Sequence, residues 1–132
     1  MNQYEKEGRY TGERRDCVVI ALSNAFDISY QEAHLHCERR GREFNKGANT
    51  LQMLDLSFNK EKNEIQHYGY SCKLYPRPGM NLSSFINTYT TGTYIIRTGG
   101  HASVVKDGVV LNNPNKKSII SYYIKIEKMN TK

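Results

Sequence analysis

No stretch of this 132-residue chain approaches the roughly 20 consecutive apolar residues that a membrane-crossing helix needs. A helical membrane protein is therefore not expected. Residues 1–7 include Glu5 and Glu7 and have no apolar core, which does not fit a secretory signal. Cysteine is scarce: Cys17, Cys37 and Cys72 show no CxxC spacing, and an odd number cannot all pair within one molecule. At least one thiol stays free, as in a reducing compartment, so a soluble cytoplasmic protein is expected. There is no long basic run and no interleaving of basic with aromatic residues. The densest groups are Arg14-Arg15, Arg39-Arg40 with Arg42, and Lys116-Lys117. Specific nucleic-acid recognition is thus only a background reading, and the net charge of +6 fits nucleic acid, an acidic protein face or no particular partner. Gly92 and Gly99-Gly100 form no phosphate-binding signature, repeats are absent, and nothing implies a cofactor.

What is present is enough to fold. Hydrophobic residues make up 38% of the chain, including 10 tyrosines and 4 phenylalanines, and the length suits one domain with a single core. Residues 1–12 read as an irregular arm. Asp16 reads as the N-cap of a helix from 17 to about 26, with Val18, Ala21, Leu22 and Ala25 at helical spacing. Its β-branched start is a poor helix former, so burial must stabilise it. Ser29 and Glu32 form a capping box for a second helix that stops at Gly41. Asn49 or Thr50 caps a third through Phe58, with Leu51, Leu54 and Phe58 on one face, and residues 59–64 read as a charged loop.

From there the pattern turns to strands. Residues 68–75 and 93–98 read as strands, with a short helix from Leu82 to Tyr89, capped by Asn81, between them. Asp107-Gly108 is a strong two-residue turn joining strands 101–106 and 109–112, and residues 118–126 form the last strand. Helices first and antiparallel strands second, with one helix inserted, is an α+β order in which the helical half packs on a small sheet.

Three residues carry the chemistry. Cys17 opens the first helix, where a helix N-terminus favours the thiolate. His101 opens a distant strand, and an amide ends the next one. An imidazole can take the thiol proton while a third side chain holds the ring. With Asp107-Gly108 as the turn, Lys106 faces Val109 and Ser103 faces Asn112, so Asn112 lies diagonal to His101 on one face. A one-residue bulge would select Asn113 instead. Cys37 and Cys72 read as core residues. His34 and Cys37 share a helix face, but His36 points away and no further ligand is evident, so no metal site is expected. His67 reads as a solvated loop residue.

These same residues resemble the papain-like superfamily of cysteine peptidases. The likeness is strongest to its small members: bacteriocin leader-processing peptidases and an uncharacterised group carried by phages and other mobile elements. An Arg-Asp-Cys start resembles Arg15-Asp16-Cys17, and a Tyr-x-Glu-Ala/Val-His helix resembles the segment from Tyr30 to His34. A Lys-Gly segment resembles Lys46-Gly47, and a Gly-His hairpin resembles Gly100-His101 through Val109. The resemblance implies a papain-like fold, Cys17 as nucleophile, His101 as general base and then acid, and Asn112 as the orienting residue. The superfamily's glutamine about six residues before the cysteine has no counterpart, since Thr11 stands there. The Cys17 backbone N–H, with Asn24 or Arg14, is the substitute oxyanion donor to look for. The expected activity is hydrolysis of a peptide or isopeptide amide through an acyl-enzyme. Two other readings stand beside it: an inactive papain-like binding module, such as a phage protein that targets a host factor, and a basic nucleic-acid-binding domain.

Overall fold

Alternation along the strands gives this protein two cores, one on each face of a single sheet. The computed structural model describes residues 15–44, 46–111 and 117–129. The arm expected over residues 1–12, and both Asn112 and Asn113, lie outside the described residues. Four α-helices are present among the described residues: α1 (Cys17–Phe26), α2 (Tyr30–Glu38), α3 (Thr50–Met53) and α4 (Leu82–Thr88). The strands are β1 (Glu64–His67), β2 (Tyr70–Pro76), β3 (Thr93–Thr98), β4 (His101–Lys106), β5 (Val109–Leu111) and β6 (Tyr122–Lys128). They form one antiparallel sheet in the order β1-β2-β6-β3-β4-β5. This is the α+β arrangement expected, with α4 as the inserted helix.

The face toward α1 collects Ala102, Val104, Ile95, Ile124, Ile126 and Leu74 under the helix's Val18, Val19 and Leu22. The opposite face collects Val105, Tyr94, Ile96 and Tyr123 under Leu82 and Phe85 of α4. Every residue of α1 after Cys17 is buried. Each large apolar side chain so buried contributes about 1.5–3 kcal/mol, which offsets the weak propensity of the β-branched first turn.

Local signals set several boundaries. The Ser29 hydroxyl accepts from the Glu32 N–H, and the Asn81 carboxamide oxygen accepts from the Ser84 N–H. The β4–β5 register pairs Lys106 with Val109 and Val105 with Val110, as the Asp107-Gly108 turn dictates. Other expectations require correction. The third helix ends at Met53, not Phe58, which is exposed. Asp55 takes a left-handed φ of 59°, and the Leu56 N–H closes back on the Leu51 carbonyl at 2.9 Å, a Schellman-type stop. The charged loop expected at 59–64 contains a 3₁₀ turn (Lys60–Lys62) and runs into edge strand β1. Tyr68 is a turn residue at φ 52°, not the start of a strand, and β6 starts at Tyr122 rather than at 118.

His67 is corrected too. Its Nε2–H donates to the Leu54 carbonyl at 2.8 Å, so the ring ties β1 to the end of α3. Beside it, His36 Nε2 meets the Met53 carbonyl at 2.6 Å, and Nδ1 meets the Tyr68 hydroxyl at 2.7 Å. A carbonyl only accepts, so His36 carries its proton on Nε2 and takes the Tyr68 hydroxyl proton at Nδ1. Burial, together with the charges of Arg40 and His67, holds the His36 pKa below the usual histidine value, outweighing the Met53 carbonyl and Asp55. The unfolded chain then binds this proton at higher pH than the folded one. The contribution to stability is present above about pH 6.5 and is lost as pH falls from there through the lower folded-state pKa. We expect Tm to drop between pH 7.5 and 5.5 and the drop to be shallower in His36→Gln, measured by thermal unfolding in matched buffers. Parallel curves for the two proteins would remove His36 from the account.

Candidate active site at the start of the first helix

The thiol at residue 17 is placed by a small buried polar cluster. Asp16 occupies the N-cap position of α1, but its side chain caps nothing in that helix. The carboxylate, 2% exposed, instead accepts the Tyr30 hydroxyl proton at 2.7 Å. Asp16 thus holds the N-cap position expected from the sequence but makes no side-chain cap. Its backbone, at φ −106° and ψ 23°, lacks the extended conformation that aims a capping side chain at the first-turn N–H groups. Arg42, also buried, donates from Nη2 to the Arg15 carbonyl at 3.2 Å, and its Nη1 lies 3.4 Å from His34 Nε2. Tyr30 and His34, one turn apart on α2, thus face the residues flanking Asp16. The chain on either side of Cys17 is therefore fixed both by α1 and by α2.

His101 arrives from the opposite direction. Gly99, at φ 57°, and Gly100 form the tight turn between β3 and β4, and His101 pairs with Thr98 as the first residue of its strand. The Cys17 thiol is half-buried and hydrogen-bonded both to the His101 ring and to the main chain of Ala102. Burial alone would push this thiol up. The two hydrogen bonds and the charges of His101 and Arg97 outweigh it and hold the pKa below the ordinary thiol value. The other two thiols behave oppositely: Cys37 and Cys72 are fully buried, and burial pushes each up to about 12. One of the three cysteines is thus set apart as a partly accessible thiol whose surroundings favour ionisation.

Of the three residues singled out in the sequence, two meet, and Asn112 lies outside the described residues. So do Thr11 and Arg14. Asn24 is seven residues beyond Cys17, about 10 Å along the helix axis, and cannot donate to a group held at the thiol. The Asp16 side chain leaves the first-turn N–H groups of α1, next to Cys17, without a side-chain cap. Among the described residues no group of His, Cys, Asp or Glu is arranged to hold a metal ion, and His34 and His36 engage different partners.

Sequence reasoning missed Arg97. It lies directly across from Ala102 in the β3–β4 register and directly across from Tyr122 in the β3–β6 register. Opposed residues share a face of the sheet, so the guanidinium emerges beside the thiol. Alternation along β3 puts Thr98, the partner of His101, on that residue's face and Arg97 on the other, so nothing local in the sequence pointed to Arg97. No helix among the described residues is long and apolar enough to cross a membrane. Comparison of the chain with protein-family models, with curated proteins and with solved structures finds no match.

Proposed function

We propose that this protein is a papain-like thiol hydrolase that cleaves a peptide or isopeptide amide through an acyl-enzyme on Cys17. The observation that carries this reading is the hydrogen bond between the Cys17 thiol and the His101 ring at the start of α1, with the thiol pKa held down. In the reaction the Cys17 sulfur attacks the amide carbonyl carbon, having given its proton to His101. The C–N bond then breaks as His101 protonates the departing amine, leaving a thioester. Water, deprotonated by His101, attacks that thioester; the C–S bond breaks, and the sulfur leaves as thiolate beside the imidazolium that took the water's proton. Charge that develops on the carbonyl oxygen falls near the positive end of α1. Asn112 is the residue assigned to orient the ring.

The test is competitive alkylation with substoichiometric iodoacetamide at pH 7, followed by peptide mapping. Cys17 should take the label first, with Cys37 and Cys72 protected until the chain is denatured. Equal labelling of the three, or a Cys17 rate no greater than that of free cysteine, overturns the proposal.

A further inference from the structure

Beside the thiol lies a guanidinium that pairs with no carboxylate among the described residues. Arg97 Nε donates to the Gly99 carbonyl at 3.2 Å and Nη1 to the Thr50 hydroxyl at 3.2 Å. Among the described residues no carboxylate lies within ion-pairing distance of it, and its Nη2 makes no hydrogen bond. The guanidinium forms part of the wall of an open groove of about 570 Å3, whose other walls include Gly47, Asn49, Phe58, Gly99 and Tyr122. Phe58 and Tyr122 meet edge to face at 5.8 Å, which gives the groove an aromatic side.

The register fixes how this groove relates to the thiol. Ala102, Arg97 and Tyr122 form one row across β4, β3 and β6 on the face that carries α1, and the Cys17 thiol contacts the first of them. Adjacent strands are about 4.8 Å apart, so the row spans about 10 Å. An extended peptide covers that distance in about three residues. A chain whose carbonyl sits at Cys17 and which runs along the row passes Arg97 one or two residues from the scissile bond.

We propose that Arg97 makes this groove a subsite for a carboxylate carried by the peptide substrate close to the scissile bond. This rests on the hydrolase reading and specifies its substrate class. A fork of N–H donors, partly desolvated and held by Thr50 and Gly99, is preorganised for a carboxylate, and the net charge of +6 favours acidic substrates at longer range.

The test compares anionic iodoacetate with neutral iodoacetamide at Cys17. In each reaction the C–S bond forms as iodide leaves, so the ratio of the two rates isolates recognition of the carboxylate from reactivity of the thiol. We expect the ratio to be about tenfold higher than for free cysteine, to fall to the free-cysteine value in Arg97→Gln, and to return in part in Arg97→Lys. Chloroacetyl-Gly-Glu-amide, chloroacetyl-Gly-Gln-amide and chloroacetyl-Gly-Gln with a free C-terminus then separate the sources. Faster labelling by the first assigns a side-chain carboxylate, and by the third a terminal one. Rapid, His101-dependent labelling by iodoacetamide with no preference for either anionic probe overturns the subsite and leaves the hydrolase standing. A Cys17 that reacts no faster than free cysteine with iodoacetamide removes the hydrolase instead. Should Arg97→Gln fail to fold, the wild-type ratio and the peptide series decide the matter.

Discussion

Replacing His101 with Ala should move the pH profile of Cys17 alkylation to higher pH, so that at pH 7 the variant is labelled more slowly than the wild type. The prediction follows from what opposes burial at this thiol. Burial pushes the pKa up, and the largest opposing contribution is the hydrogen bond from His101, followed by Ala102, the charge of His101 itself and Arg97. Removing the ring deletes two of the four favourable contributions at once and leaves the burial in place. The thiol then titrates as an ordinary or a raised one, and its thiolate fraction drops tenfold per pH unit below its pKa. On the proposed hydrolase reading, the loss toward an amide substrate should be larger, about 10²–10⁴, because the same ring would also protonate the leaving amine. Stopped alkylation at a series of pH values with mass-spectrometric readout of residue 17 provides the measurement. Superimposable pH profiles for the two proteins would show that the ring does not govern the thiol.

The parts of the molecule that were legible in the sequence are those written in local chemistry. Ser29 and Asn81 cap the helices they precede, and Asp107-Gly108 fixes the β4–β5 register, because a side chain or turn within three residues supplies the missing partner. Cys17 and His101 were legible as a pair because a helix start and a strand start are both local signals. The features that were not legible depend on partners far along the chain. α3 stops early at Asp55, whose carboxylate meets Arg40 in a two-pronged contact at 2.9–3.2 Å from α2's C-terminal side. Nothing in residues 50–58 announces it. β1 is a four-residue edge strand with alternate residues exposed, and its first residue, Glu64, is the last of the charged stretch that reads as loop. His67 looked solvated because the carbonyl that holds it belongs to Leu54. Asp16 was legible as the N-cap position, but not its buried contact with Tyr30, 14 residues on.

That contact sets the second large effect. Asp16→Ala should lower stability by about 2–3 kcal/mol, because it removes a hydrogen bond to a charged group and leaves the Tyr30 hydroxyl buried without that acceptor. For a chain of this size the fall in Tm is on the order of 10 °C. Cys17 labelling by iodoacetamide should slow in the folded variant, since the cluster that fixes the chain ahead of α1 has lost its central acceptor. Tyr30→Phe removes the donor instead and should cost about 1–3 kcal/mol, leaving a buried carboxylate with one donor fewer. Leaving one partner of a buried pair behind costs more than replacing both, so the double variant Asp16→Ala with Tyr30→Phe should be less destabilised than the sum of the single changes by about 1–2 kcal/mol. Denaturant unfolding of the four proteins measures this coupling. Strictly additive changes would mean that the 2.7 Å contact contributes nothing of its own, and a Cys17 rate untouched in all three variants would separate the cluster from the site it adjoins.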